Sequence, residues 1–254
     1  MYDPPGYLWA ITIAGVIAVL AVTCVVLYGG AVRAGLGRRR AALLAGGAAV
    51  VLGGWFTASA VIAGHGWYHT RLGHGVPWMP VAVFGFFGLL LALRRIPVVA
   101  RALTAPGTVH RLELPHAFRL AGGTAFLLTM ILGHLPPLFA VPAGLGDIAA
   151  GIAAPIVARK LAQGTGRRGA LWFNAFGMTD LISALTLGAL TGYQLVNVSP
   201  SGAAISELPL ALIPTAAVPL LFALHITSVP ALLRPRRAPL PATAPSPISA
   251  TWSM

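Results

Sequence analysis

Two aspartates stand near the middle of apolar stretches of the sequence, where a charged side chain is costly. Asp147 and Asp180 are two of only five acidic residues among 254. An aspartate at the centre of a membrane helix costs about 2.5–3.5 kcal/mol, so such residues usually face other helices and carry function. We predict that this pair binds a proton or a cation. A hydrogen-bonded strut between two helices is the alternative interpretation.

Small residues accompany both aspartates at helical spacing. Gly144 and Gly151 share a predicted helix face with the first aspartate, and Gly177 and Gly188 share one with the second. Small residues at this spacing allow helix backbones to approach closely. Because the two helices are consecutive and antiparallel, we expect the two carboxyl groups at a similar depth.

Three further polar residues lie near the inner ends of predicted helices. They are Arg119, Asn174 and His225. We predict that they meet at one depth, and we group them with the aspartates as candidate substrate- or proton-binding residues. A structural hydrogen bond is the alternative, since polar side chains often bridge membrane helices. No residue is predicted to be catalytic, and no cofactor is predicted.

Four histidines fall on the predicted outer side. They are His65, His69, His74 and His134. Histidines four residues apart can bind a borderline metal from one helix face. The glycines around the first three favour an interfacial loop with incidental histidines, and no acidic residue or cysteine accompanies them. A metal site at these histidines is therefore the lesser alternative.

The elements that position these residues are apolar stretches of membrane-spanning length. The chain is 57% hydrophobic and 9% charged, whereas a soluble domain carries roughly 25% charged residues. A span needs about 20 apolar residues. We predict an all-α membrane bundle of about seven transmembrane helices. The predicted spans are 8–28, 41–63, 78–93, 117–135, 139–158, 170–193 and 208–229.

The positive charges alternate along this arrangement. From the N-terminal tail through six loops to the C-terminal tail, the Lys and Arg counts are 0, 4, 1, 5, 0, 4, 0 and 3. Positive residues collect on the cytoplasmic side, which predicts an outer N-terminus and an inner C-terminus. We therefore attribute the net charge of +12 to basic residues that orient the helices in the membrane, and we expect no nucleic-acid partner. Residues 1–233 form the predicted transmembrane domain, and 234–254 a disordered cytoplasmic tail.

Two known membrane families share features with this sequence. Gly144-Leu-Gly-Asp147 resembles the GxGD motif of intramembrane aspartyl proteases, which would imply Asp180 as a second carboxylate that activates water. In the presenilin-like branch the GxGD aspartate comes second, whereas in this sequence it comes first, ahead of Asp180. Seven helices also resemble microbial rhodopsins. The only lysine, Lys160, lies outside the last predicted helix, which excludes a retinal Schiff base of that type.

The C-terminal half resembles a set of uncharacterised bacterial multi-pass membrane proteins. The similarity lies in residues 118–123, 135–151, 172–181 and 209–225, which include the stretches AGLGDIAAG and LIPTAAVP. This resemblance implies a bacterial inner-membrane protein. It supplies no cofactor, substrate or reaction.

Three hypotheses about function follow. The first is a small transporter or channel-like protein, proton-coupled through the buried carboxylates, whose partners are the lipid bilayer and a small solute or proton. The second is a membrane sensor or assembly scaffold, with the oligomeric state left open. The third is an intramembrane aspartyl protease. Short loops leave little room for catalysis, so an enzyme is not favoured.

Overall fold

The computed structural model describes residues 3–69 and 76–234, and within these ranges the protein contains helices and no strands. The predicted all-α class is thus confirmed for this part of the chain. The α-helices are α1 (Gly6–Arg33), α2 (Arg38–Gly64), α3 (Trp78–Leu93), α4 (Pro97–Thr104), α5 (Val109–Leu112), α6 (Arg119–Ile131), α7 (Pro137–Ala162), α8 (Arg167–Gly192) and α9 (Val218–Leu233). Two 3₁₀ turns, Leu114–Phe118 and Gly202–Ser206, and a π-helical turn, Ile213–Ala217, complete the regular elements.

Five helical segments in the described ranges are long and apolar enough to cross a membrane. They are α1, α2, α7, α8 and the continuous segment Ile213–Leu233, with lengths of 21 to 28 residues. At about 1.5 Å per residue they measure roughly 30–40 Å, against a hydrocarbon core of about 30 Å. α3 and α4 together would make a sixth span, bent by 85° at the break between them.

The fourth predicted span, 117–135, is a short helix between irregular ends. α6 has only 13 residues. A 3₁₀ turn that contains Pro115 precedes it, and Gly133 with a φ of 80° follows it. A residue with positive φ cannot continue a right-handed helix, and glycine adopts that conformation readily. The apolar stretch is therefore longer than the α-helix that it forms.

The last predicted span, 208–229, departs from an α-helix where its prolines lie. Pro214 is part of the π-helical turn, and Pro219 stands at the start of α9. Proline has no N–H, so Pro219 leaves the carbonyl four residues earlier, on Thr215, without its helical donor. The indole Nε1 of Trp55 in α2 donates to that carbonyl at 2.8 Å. Neighbouring helices supply such partners where proline interrupts a membrane helix.

Small residues bring the central helices together. A Cβ on Gly123 of α6 would lie 2.5 Å from the backbone oxygen of Gly144 in α7, and one on Gly151 would lie 2.6 Å from Leu120. Only glycine allows these backbones to approach so closely. α7 also packs on α8, and α8 on α9, while α1 contacts α2, α4 and α6. α6 to α9 thus enclose the centre of the bundle.

Arginines that are far apart in the sequence lie close together in two places. The guanidinium groups of Arg33 and Arg111 both lie beside Gly29, and Arg167 donates to the backbone oxygen of Arg234. The predicted tail 234–254 lies outside the described residues except for Arg234.

Candidate functional site

The centre of the bundle contains an arginine that bonds to both predicted aspartates. Arg119 stands at the start of α6, and its side chain is 1% exposed. Its Nε donates to Asp147 Oδ1 of α7 at 2.7 Å, and its Nη2 donates to Asp180 Oδ2 of α8. The two carboxylates are 11% and 10% exposed. One guanidinium thus joins three consecutive helices, and we call these three residues the central triad.

Glycines make room for the central triad. A Cβ on Gly146 would collide with the carboxylate of Asp180. A Cβ on Gly123 would lie 2.9 Å from the Cβ of Asp147, closer than side chains normally approach. Glycines of the central helices therefore serve two purposes, since they bring the helices together and leave space for the carboxylates between them.

A second polar group lies beside the central triad and is held by Asn174 of α8. The amide nitrogen of Asn174 donates to Glu113 Oε1 at 3.0 Å and to its own helix at Ala170 O at 2.8 Å. Its amide oxygen lies 2.8 Å from His225 Nδ1. Because the amide nitrogen donates twice, the oxygen must accept, so His225 carries its proton on Nδ1. His225 Nε2 is then unprotonated and has its lone pair available.

His116 completes this second group, which we call the Glu113–His116–His225 cluster. Its ring stacks on that of His225 at a centroid distance of 3.9 Å and meets Phe173 edge-on at 5.7 Å. All three members of the cluster are fully buried. Burial raises the pKa of Glu113 to about 7, although the hydrogen bond from Asn174 opposes this shift. Burial and the nearby His225 and Arg119 lower the pKa of His116.

Glu113 and His116 were not among the residues chosen from the sequence. The signal that could have found them is the spacing of Glu113, His116 and Arg119, each of which lies three positions after the one before it. A 3₁₀ helix has three residues per turn, so residues three apart lie on one edge. The 3₁₀ turn Leu114–Phe118 therefore aligns the three side chains towards the bundle centre.

The two polar groups are neighbours. A Cβ on Gly177 of α8 would collide with His225 Nε2 and lie 3.3 Å from Arg119 Nη1, so both side chains approach the same glycine. If ionised, the three buried carboxylates of Asp147, Asp180 and Glu113 carry three negative charges against the single positive charge of Arg119. The combined site then has a formal charge of −2.

A cavity of about 1090 Å³ leads to the central triad from one end of the bundle. Its lining includes the exposed residues His69 and Gln194 at one end and Asp147 at depth, with residues of α3 and α8 on its sides. The His69 ring lies 3.0 Å from Ser206 Oγ and 3.8 Å from Glu207 Oε1.

The predicted residues are thus distributed over two places. Asp147, Asp180 and Arg119 bond directly, and Asn174 and His225 bond to each other beside them. Their predicted role in substrate or proton binding stays a prediction. His65, His69 and His134 are exposed and do not come together as a group of metal ligands within residues 3–69 and 76–234. His74 lies outside the described residues.

The fold and the site define a class: within residues 3–69 and 76–234 the protein is all-helical, five helical segments are long and apolar enough to cross a membrane, and charged residues are buried between helices. Residues 76–233 match a family described as a domain of unknown function, DUF8737, and the chain belongs to that family. The match covers more than half of the chain, including every residue of both polar groups. No curated protein and no solved structure matches the sequence.

Proposed function

We propose that the chain is a proton-coupled transporter of a small solute, embedded in a bacterial inner membrane. The observation that carries this proposal is the cavity, which extends from exposed residues at one end to Asp147 of the central triad. Cavities that hold small ligands measure about 300–1,000 Å³ and combine apolar walls with a few polar groups. A solute at the cavity floor would therefore meet a charged group that is shielded from bulk water.

We propose seven spans for this transporter. α3 has 16 residues, or about 24 Å of helix, and crosses most of a hydrocarbon core of about 30 Å by itself. α6 with its flanking turns supplies the fourth crossing, as predicted for residues 117–135. With the five long segments these make seven, which leaves α4 and α5 as short helices at the membrane surface.

We orient the N-terminus outside and the C-terminus in the cytoplasm. Support comes from the alternation of Lys and Arg counts along the predicted loops, since basic residues favour the cytoplasmic side. In this orientation the cavity opens to the outside. The Glu113–His116–His225 cluster and Asn174 then lie between Asp147 and the cytoplasm.

The central triad suits proton coupling better than proteolysis. An aspartyl protease needs two carboxyl groups that share a proton and activate water. Here each carboxylate bonds to a guanidinium, so Asp147 and Asp180 are held by an ion pair. A proton that neutralised one aspartate would weaken its bond to Arg119 and free a hydrogen-bonding group towards the cavity. Protonation of an aspartate would thereby change which groups at the cavity floor can bind the solute.

The experiment is a flux measurement in proteoliposomes that enclose a pH-sensitive dye. Single members of a panel of amino acids, sugars, weak acids and amines are added outside, and internal acidification is followed. The variants are Asp147→Asn and, as a matched control, Asp3→Asn, which makes the same change at an exposed position. We expect at least one solute to acidify vesicles with wild type and the control, and not with Asp147→Asn. Identical traces for all three proteins with every solute would refute transport through this site.

A further inference from the structure

The Glu113–His116–His225 cluster has unused ligand atoms that point to a bound ion. Glu113 Oε2, both ring nitrogens of His116 and His225 Nε2 are buried and form no hydrogen bond of ordinary geometry with the described residues, although Ser228 lies beside the carboxyl. Buried polar groups are nearly always paired, and an unpaired one costs about 1–3 kcal/mol. Several such atoms facing one another indicate a shared partner that can bond to all of them.

The spacing of these atoms fits a metal ion. One ligand atom from each of the three side chains can be chosen so that all lie within 4.8 Å of one another. Nitrogen and oxygen ligands bind zinc at about 2.0–2.2 Å, which places neighbouring ligands about 3.4 Å apart in a tetrahedron. Side-chain movements of about 1 Å would therefore close the set. In this movement the His116 ring would leave its stack on His225, and no hydrogen bond of ordinary geometry with the described residues opposes it.

Asn174 prepares the other two ligands. It donates to Glu113 Oε1, which leaves Oε2 available, and it accepts from His225 Nδ1, which leaves Nε2 as the lone pair. Metal-bound histidines almost always donate their other N–H to such a partner, and bound carboxylates are likewise hydrogen-bonded. One amide side chain thus orients two candidate ligands in the form that binds metal.

The charge of the site also favours a cation. With all three carboxylates ionised, Glu113, Asp147, Asp180 and Arg119 carry a formal charge of −2 together, which one divalent ion would neutralise. Buried charges in proteins are paired or bind metals. Two imidazoles and one carboxylate select a borderline transition metal over Mg²⁺ or Ca²⁺, which prefer oxygen ligands alone.

We propose that Glu113, His116 and His225 bind one divalent transition-metal ion of the zinc class, with Asn174 orienting the ligands. Three protein ligands leave a fourth position open for water or a solute group. The inference is independent of the transport proposal, because it concerns binding of the metal alone and is tested without flux.

The test uses the full chain, purified in detergent without a polyhistidine tag and stripped with a chelator. The background protein carries His65→Ala, His69→Ala, His74→Ala and His134→Ala, so that the four candidate outer histidines contribute no binding. After equilibration with Zn²⁺, metal per chain is measured by mass spectrometry, and Co²⁺ is used as a spectroscopic substitute. We expect about one ion per chain and visible Co²⁺ bands of a tetrahedral nitrogen- and oxygen-bound site.

Variants then assign the site. His116→Gln and Glu113→Gln should weaken Zn²⁺ affinity by at least about 100-fold, and Asn174→Ala by about 10- to 100-fold, as expected for loss of a partner that orients ligands. Each variant is compared with the background by size-exclusion profile. The Co²⁺ spectrum of the unaltered cluster tests the proposal even where a variant fails to fold. No stoichiometric metal in the background protein, or equal affinity in folded variants, would overturn it.

Discussion

Removal of the guanidinium from the central triad should destabilise the protein strongly. In Arg119→Met the carboxylates of Asp147 and Asp180, which are only 11% and 10% exposed, lose the one cation that bonds to both. Breaking a buried ion pair from one side costs about 3–5 kcal/mol, because the remaining charge is left without compensation. For a chain of this size each kcal/mol lowers the melting temperature by about 2–4 °C. We expect a loss of about 6–20 °C.

The matched variants separate charge imbalance from lost packing. Arg101→Met makes the same substitution at an exposed position and should change stability by less than about 0.5 kcal/mol. In the triple variant Arg119→Met, Asp147→Asn, Asp180→Asn no unpaired carboxylate remains. We expect it to recover most of the lost stability, since neutral replacement of a buried ion group is often tolerated.

The assay uses the single cysteine as a reporter. Cys24 lies in α1 and is partly buried, so a thiol-reactive fluorescent dye labels it faster as the bundle unfolds on heating in detergent. Equal melting temperatures of Arg119→Met and Arg101→Met would refute the role of Arg119 as the counter-charge of the two carboxylates. A triple variant whose melting temperature is no higher than that of Arg119→Met would refute it as well.

Two further substitutions test how the central helices are positioned. Gly146→Ala should displace the Asp180 carboxylate from its ion pair and lower the melting temperature, whereas Gly53→Ala, where a Cβ meets no atom within 4 Å, should leave it unchanged or raise it. Trp55→Phe removes the donor to the carbonyl of Thr215 and should cost about 1–3 kcal/mol of unfolding free energy, because that buried acceptor is left unpaired.

Hydropathy was sufficient to predict the all-helical architecture and the positions of the long apolar helices. α3 begins and ends at the predicted residues 78 and 93, α7 contains the predicted span 139–158, and α8 covers the predicted span 170–193 except for its last residue. Long apolar helices carry a strong signal because lipid requires every backbone group to be paired within the helix. The number of spans and their orientation stay predictions, because length and composition identify five spanning segments and one bent pair.

The arrangement of the polar residues was harder to predict. Asp147 and Asp180 were recognisable because each interrupts an apolar helix. Arg119 was placed near the inner end of its span, and its long side chain reaches both carboxylates, which residue spacing alone does not reveal. Glu113 and His116 were missed because their alignment depends on a 3₁₀ turn. Such a turn is too short to leave a hydropathy pattern.

The most direct test of the account is side-specific labelling of a residue in the cavity wall. Ala184 of α8 lies one turn from Asp180 and lines the cavity. In a Cys24→Ala background, Ala184→Cys is exposed to a membrane-impermeant maleimide in intact cells and in inverted vesicles. We expect the introduced cysteine to be labelled in intact cells and to be protected in inverted vesicles. Labelling only from the cytoplasmic face, or no labelling from either face, would contradict a cavity that connects the central triad to the outside.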